Sequence, residues 1–238
     1  MREILYLAIL LITLSSAVGC VSQKSVSPHT QVSTTLPTPL TTLILPEPRL
    51  VGEVSLEETL ITRRSIREYT DEPLTLEEVS QLLWAAQGIT SEWGGRTAPS
   101  AGGLFPLEVY LIAGNTNDLS SGTYRYQAQS HELMMYREGD FRDDISRAAL
   151  DQEWVREGAI NIIISAVYAR TEQKYGDRSS RYVPMEAGHA AQNLYLQATA
   201  MGLGMVTVGA FHDDQVREIL GMPESETPLY VIPVGRKS

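Results

Sequence analysis

Three guanidinium groups lie close together in residues 62–69, the arginine segment, which reads Thr-Arg-Arg-Ser-Ile-Arg-Glu-Tyr. Arg63, Arg64 and Arg67 are the cations, and Ser65 adds a short hydroxyl donor beside them. Guanidinium groups stay charged at any working pH and bind phosphate oxygens through paired hydrogen bonds. The segment is therefore a candidate phosphate site, although its composition is also typical of a solvated basic turn.

A loop of small residues between Arg96 and Pro106 is the second candidate. Its central residues, the glycine loop, are Pro99, Ser100, Ala101, Gly102 and Gly103. Small side chains let a backbone come close to a flat or anionic ligand, and consecutive N–H groups can form an anion-binding nest. A glycine pair before a strand is also common in ordinary loops, so this loop alone assigns no site.

The third candidate is residues 202–210, which read Gly-Leu-Gly-Met-Val-Thr-Val-Gly-Ala. We expect a strand that ends at Val208 and Gly209, where a planar ring could lie against the backbone. The four histidines are scattered and the single cysteine lies near the N terminus. The sequence therefore predicts no metal site.

These candidates need rigid elements to position them, and capping boxes at Ser55 and Thr75 predict two helices. Further helices are predicted at 140–150, 185–201 and 213–220, and strands at 107–113, 123–126, 132–136, 160–167, 203–208 and 229–234. Gly88 and Gly221 are expected to end the helices before them. Because helices and strands mix without strict alternation, the predicted fold class is α+β.

Residues 1–20 have the pattern of an export signal. Arg2 precedes an uncharged, Leu/Ile-rich run at 4–14, and small residues follow, as in a signal peptide. The run is shorter than the roughly 20 residues of a membrane-spanning helix. Cys20 follows Ala-Val-Gly, which resembles a lipoprotein cleavage box. We expect export and a lipid anchor at Cys20 on the outer face of the cytoplasmic membrane; the alternative is an uncleaved signal anchor.

Residues 21–48 are predicted to be a linker, because 15 of these 28 residues are Ser, Thr or Pro. Such a segment buries too little apolar surface to offset the entropy lost on ordering. Residues 49–238 have the composition of one globular domain. The formal net charge of −10 argues against nucleic acid as a partner, because surfaces that bind nucleic acid are basic.

Together the motifs resemble the FMN-dependent nitroreductase superfamily. The marks are Arg-Arg-Ser-x-Arg at 63–67, Pro-Ser-Ala-Gly-Gly at 99–103, Gly-Leu-Gly at 202–204 and Ile-Pro-Val-Gly at 232–235. Phe-Pro-Leu-Glu-Val-Tyr after the glycine loop and Gly-Thr-Tyr-Arg-Tyr at 122–126 are closer to the SagB-type dehydrogenase branch. The resemblance covers roughly residues 56–237, nearly the whole predicted domain.

The resemblance implies a three-layer sandwich with a central mixed sheet flanked by helices, in an intertwined homodimer with two FMN sites at the subunit interface. The residues implied to bind FMN are Arg63, Arg64, Ser65, Arg67, Val208, Gly209, Arg236 and, from the partner subunit, Pro99 to Gly103. Among them, the arginine segment would hold the phosphate and the polar edge of the flavin, and Arg236 would return to the phosphate. Val208 and Gly209 would lie near the reactive side of the ring.

The implied activity passes hydride from a donor to the flavin and then to an acceptor, a ping-pong cycle without a side-chain nucleophile. NAD(P)H is a candidate donor. In the azoline-oxidising relatives a Lys-Tyr pair removes a proton beside the flavin, so Lys174 and Tyr175 are candidate catalytic residues; the alternative is a solvated loop. A different class of function is a non-catalytic protein that holds a flavin or another planar ligand at the membrane surface. A third is a dimeric scaffold presented to a membrane partner.

Overall fold

The computed structural model describes residues 36–238. The predicted signal peptide, the lipid site at Cys20 and the first part of the predicted linker lie outside these residues. Within them, no helix combines the length and the apolar character needed to cross a bilayer.

One sheet of eight strands runs through the described part of the chain. The strands are β1 (Thr41–Ile44), β2 (Tyr69–Thr70), β3 (Leu107–Ala113), β4 (Gly122–Gln127), β5 (Glu132–Glu138), β6 (Ile160–Ala166), β7 (Leu203–Met205) and β8 (Thr227–Lys237). Their order across the sheet is β1-β5-β4-β3-β6-β8-β2, and β7 also pairs with β8.

All pairs between these strands are antiparallel, so the expectation of a mixed sheet is wrong for residues 36–238. The one parallel contact there is an isolated bridge between Leu74 and Thr116. Parallel neighbours need a crossover that returns the chain to the same end of the sheet. The connections between the described strands bring each neighbour back in the opposite direction.

Seven α-helices flank the sheet in the same range. They are α1 (Leu56–Thr62), α2 (Leu76–Gln87), α3 (Arg142–Ala148), α4 (Glu153–Glu157), α5 (Tyr168–Tyr175), α6 (Ser179–Ala200) and α7 (Asp213–Leu220). Two predicted helix starts are confirmed, because Ser55 accepts a backbone N–H of α1, and Thr75 and Glu78 form a reciprocal capping box. Two predicted ends are confirmed as well, at Gly88 and at Gly221, whose φ of 62° is left-handed.

The sheet separates two apolar cores. Strand β6 is buried along its whole length, as expected for a strand covered on both faces. Leu82 of α2 and Leu194 of α6 belong to one core, while Ile145, Val155 and Val216 of α3, α4 and α7 belong to the other. Helices therefore cover both faces, which confirms the predicted α+β sandwich.

Two helical segments differ from the sequence prediction. Helix α6 begins at Ser179 rather than at residue 185, and it continues through Pro184 in its second turn. The neighbouring Val183 and Glu186 are buried and hold that turn in the domain. Helix α5 was not predicted, because Thr171 is its one fully buried residue and no apolar stripe marks it.

Part of the predicted linker belongs to the domain. Strand β1 pairs with β5 at the edge of the sheet, and Leu45 directly after it is 3% exposed. The hydroxyl of Ser80 donates a hydrogen bond to the carbonyl oxygen of Pro46 at 2.6 Å. The prediction of a linker through residue 48 is therefore wrong at its C-terminal end, because Leu43 and Leu45 pack against the core at the sheet edge.

Replacing Leu45 with alanine should lower the free energy of unfolding by about 2–4 kcal/mol, because it removes a buried side chain from the core. Thermal unfolding should show a melting temperature lower by about 5–10 °C. Ile44→Ala is the matched control, since Ile44 is 74% exposed and its loss should cost about 0.5 kcal/mol or less. Equal melting temperatures for the two variants would contradict the assignment of β1 and Leu45 to the domain.

Candidate functional site

The arginine segment follows α1 and runs beside β7. The backbone N–H of Ile66 donates to the carbonyl oxygen of Met205 at 2.9 Å. The hydroxyls of Ser65 and Tyr195 are 3.0 Å apart, and the same Tyr195 oxygen accepts the backbone N–H of Thr207 at 3.1 Å. Tyr195, in the second half of α6, therefore joins the arginine segment to the backbone after β7.

The guanidinium groups of the arginine segment form no ion pair with any carboxylate in residues 36–238. Arg63 lies over the ring of Tyr195 at 5.0 Å from its centroid, and Arg67 lies over Trp154 at 5.4 Å. Arg64 donates only to nearby backbone carbonyls. Three uncompensated cations on one short segment suit an anion of high charge, such as a phosphate dianion.

Val208 and Gly209 lie on the same side of the domain as Thr207. Strand β7 is shorter than predicted, but Val208 exchanges backbone hydrogen bonds with Val231 of β8 at 2.8 and 3.0 Å. Gly209 is exposed, and a Cβ at this position would meet no atom within 4 Å. The backbone there is open, and its contact with a planar ring stays a prediction.

The glycine loop packs against Lys174 and Tyr175. The backbone N–H of Ala101 donates to the carboxylate of Glu186 in the first half of α6 at 2.9 Å. Gly102 has a φ of 65°, and a Cβ there would lie 2.9 Å from the Tyr175 hydroxyl and 3.0 Å from Lys174 Nζ. The structure therefore brings together two groups of predicted site residues that are about 70 positions apart in the sequence.

Lys174 and Tyr175 end helix α5 instead of lying in a loop. Tyr175 packs edge-on against Tyr182, with ring centroids 5.2 Å apart, and Lys174 Nζ is 5.5 Å from the Tyr175 ring centroid. Lys174 is exposed in the single chain. A proton-transfer role for this pair stays a prediction, because the single chain leaves Lys174 exposed to solvent.

The two groups of predicted residues occupy different parts of α6. The glycine loop is bonded to Glu186, while the arginine segment is bonded to Tyr195. Nine residues of helix separate these contacts by about 14 Å along its axis. We call these two groups of candidate residues the glycine half-site and the arginine half-site.

Arg236 is arranged differently from the prediction. Its guanidinium forms a two-pronged pair with Glu78, with Nη1–Oε1 at 2.7 Å and Nη2–Oε2 at 3.0 Å. Its Nε also lies 3.4 Å from a carboxylate oxygen of Glu72. Arg236 is thus neutralised at the N terminus of α2, and the structure does not bring it to an anion site as a free cation.

A model described as the nitroreductase family matches residues 60–236. The chain belongs to the nitroreductase family. A protein of Methanocaldococcus jannaschii named as a nitroreductase is 46% identical over 187 residues, which are 79% of this chain and 93% of that protein. The FMN reductase (NADPH) of Bacillus subtilis is 24% identical over 192 residues, which are 75% of this chain and 64% of the reductase.

Among solved structures, a protein from Ralstonia eutropha also named as a nitroreductase has a TM-score of 0.72 and 31% identity. The match covers 87% of this chain and 97% of that chain. Membership confirms the nitroreductase-like fold, and it confirms the expected class of enzyme and cofactor: an FMN-dependent oxidoreductase. The free cations of the arginine half-site and the open backbone at Gly209 fit the phosphate and the ring of that cofactor.

Sequence reasoning missed two residues of this nitroreductase that position the half-sites. Tyr195 shares a helix face with Gly188 and Ala191, a pattern that by itself indicates helix packing. Glu186 is 4% exposed on a helix face of small residues. A carboxylate on such a face signals a specific partner, because a buried charge is costly without hydrogen bonds.

Arg64→Gln should weaken the binding of FMN about tenfold or more, because it removes a charge-assisted hydrogen bond to the phosphate. Riboflavin, which has the same ring without a phosphate, should bind the variant and the unmodified chain equally. Quenching of flavin fluorescence measures both affinities. Arg181→Gln is the control, since Arg181 is an exposed arginine of α6. Equal loss of affinity for the two flavins would contradict a phosphate contact.

Proposed function

We propose that the chain is a SagB-type oxidoreductase that transfers hydride between two small molecules by a ping-pong mechanism, at a site shared by two copies of the chain. The observation that supports this proposal is the separation of the arginine and glycine half-sites along α6. Bound FMN supplies the hydride-accepting and hydride-donating chemistry. The protein contributes binding, orientation and an opening for donor and acceptor.

The arginine half-site would hold the cofactor. Arg63, Arg64 and Arg67 would bind the phosphate and the polar edge of the ring, and the hydroxyl of Tyr195 would orient Ser65 toward the same anion. Gly209 would let the ring approach the backbone. Donor and acceptor would enter the remaining open face in turn, which is the physical basis of a ping-pong cycle.

A second copy of the chain would complete each site. Leu56, Leu60 and Ile61 of α1 are 59%, 53% and 73% exposed, and Met185 of α6 is 50% exposed. Large apolar side chains clustered in water mark interaction surfaces. The four exposed side chains lie on α1 and α6, the two helices next to the half-sites. A homodimer formed through this surface would bury them and bring the partner's glycine half-site to the arginine half-site.

Lys174 and Tyr175 would act as proton-transfer groups in such a dimer. Both contact the glycine loop, so they would arrive at the cofactor together with it. Closure of the interface would remove water from Lys174, and desolvation lowers the pKa of a lysine. The pair would then have the position and the acidity that a general acid or base needs.

The export pattern of residues 1–20 favours a second candidate function. We infer that the domain is tethered at the outer face of the cytoplasmic membrane, where cytoplasmic NAD(P)H is not supplied. A non-catalytic protein that holds a flavin would not need that donor. An intact Met1 in the mass spectrum of the mature protein would contradict both signal cleavage and lipid attachment at Cys20.

Anoxic reduction separates the enzyme from the binding protein. Full-length chain loaded with FMN should lose its visible flavin absorbance on addition of NADPH or NADH, and a nitroaromatic acceptor should restore it. The reason is that a hydride-transfer site leaves one face of the ring open to the donor. A bound flavin that dithionite reduces and neither nucleotide reduces would favour the binding protein.

The same assay tests the Lys-Tyr pair. Lys174→Ala should retain bound FMN and slow turnover, because the change removes a proton-transfer group without touching the arginine half-site. Arg181→Gln again serves as the control on an exposed cation. Unchanged turnover with flavin retained would leave Lys174 without a catalytic role.

Co-expression of two inactive variants tests the shared site. Arg64→Glu places a negative charge in the arginine half-site. Gly102→Val disrupts the glycine half-site, because Gly102 has a left-handed φ and a side chain there would collide with Lys174 and Tyr175. A mixed dimer contains one site with both half-sites intact, so the mixture should regain roughly a quarter of the unmodified activity. Each variant alone should be inactive. No recovery in the mixture would place both half-sites of one site in the same chain.

A further inference from the structure

A cavity of about 420 Å³ lies along strands β3 and β4, beside the two residues that follow the glycine loop. Its volume is within the range of small-molecule sites in proteins. The apolar part of the cavity wall consists of Leu104, Phe105, Leu107 and Val109. Its positive charge comes from Arg96, Arg125 and Arg170. The cavity shares no residue with the arginine half-site.

Two of these arginines share one carboxylate. Arg125 Nη2 lies 2.8 Å from one oxygen of Glu108, and Arg170 pairs with the other oxygen. Arg170 also donates to the carbonyl oxygen of Phe105 at 3.0 Å. The lining therefore has one negative charge for these two cations.

Arg96 is the third arginine, and it has no ion pair with any residue in the described part of the chain. It donates to the side-chain oxygen of Gln87 at 2.8 Å and lies 4.7 Å above the centroid of the Phe105 ring. Its Nε is buried without a hydrogen-bond partner, as is the Nε of Arg125. Burial lowers the pKa of Arg96, although an arginine remains charged at neutral pH.

A second carboxylate, Glu226, lies behind the cavity wall and does not compensate Arg96. One of its oxygens is 3.7 Å from Arg125, and the other accepts hydrogen bonds from Tyr110 at 2.9 Å and Ser165 at 3.0 Å. Burial raises the pKa of Glu226. The wall itself thus has three cations and one anion, together with two buried guanidinium N–H groups that lack partners.

We propose that this cavity is a binding site for a small organic carboxylate, whose anionic group pairs with Arg96 and whose apolar body lies against Leu104, Leu107 and Val109. A carboxylate supplies the counter-charge that Arg96 lacks among the described residues, and guanidinium groups bind it with matching planar geometry. The apolar wall favours an organic acid over an inorganic anion. The proposal is independent of flavin binding, since the cavity uses other residues.

Isothermal titration of the full-length chain with cyclohexanecarboxylate tests the proposal, with cyclohexanecarboxamide as the uncharged ligand of the same shape. Neither ligand is planar, so stacking on a flavin does not interfere. The carboxylate should bind with a dissociation constant on the order of 1 mM or tighter, and the amide at least about tenfold more weakly. Equal binding of the two ligands, or no binding of the carboxylate, would overturn the proposal.

Arg96→Gln should reduce carboxylate binding about tenfold or more, and Arg96→Lys, which keeps the charge, should reduce it less. Arg137→Gln is the matched control, because Arg137 also stacks on a phenylalanine, at 4.3 Å from the Phe141 ring, and does not line this cavity. Circular dichroism verifies the fold of each variant. Unchanged affinity in a folded Arg96→Gln would place the ligand elsewhere. Should that variant not fold, the comparison of acid with amide is made on the chain loaded with FMN, whose arginine half-site is filled, and equal binding of the two ligands there would overturn the proposal.

Discussion

The hydroxyl of Tyr195 connects segments that are far apart in the sequence, and the arginine half-site depends on it. It lies 3.0 Å from the Ser65 hydroxyl and accepts the backbone N–H of Thr207, while its ring lies under Arg63. A hydrogen bond of this kind contributes only about 1 kcal/mol. Its importance is geometric, because it sets the distance between the arginines and the exposed backbone after β7.

Helix α6 extends that constraint to the glycine half-site. Glu186 is almost fully buried, and a carboxylate in that environment is stable only when donors surround it. The backbone N–H of Ala101 is one such donor, so the glycine loop is attached to the helix at a defined point. One rigid helix therefore sets the spacing of both half-sites, and in the proposed homodimer this spacing would decide how two chains meet around one cofactor.

The sequence predicted most accurately the structural features that depend on residues close together in the chain. The caps at Ser55 and Thr75 and the end of α7 at Gly221 involve residues within one helical turn of each other, so their residue types are sufficient. Strand β6 was predictable because five of its seven buried residues are apolar, which leaves a nearly continuous apolar signal. The candidate site residues were found from the family motifs, not from periodicity.

Long-range contacts explain what the sequence did not predict. The composition of β1 is that of the predicted linker, and the segment forms a strand because it pairs with the edge of β5. The pairing of Arg236 with Glu78 joins residues 158 positions apart, so nothing near Arg236 indicates that a carboxylate neutralises it. The charged cavity also depends on long-range contacts, because Arg96, Glu108 and Arg170 come together only when α5 packs near β3 and the loop that precedes it.

The position of β1 determines where the preceding chain joins the domain. Six strand-to-strand steps separate β1 from β2, the short strand that directly follows the arginine segment, in the order of the sheet. At about 4.8 Å a step, the two edges lie roughly 29 Å apart. The proposed membrane anchor, if attached before β1, would thus pull on the domain at the sheet edge opposite the arginine half-site, and molecules that diffuse to the proposed cofactor site would not have to pass it.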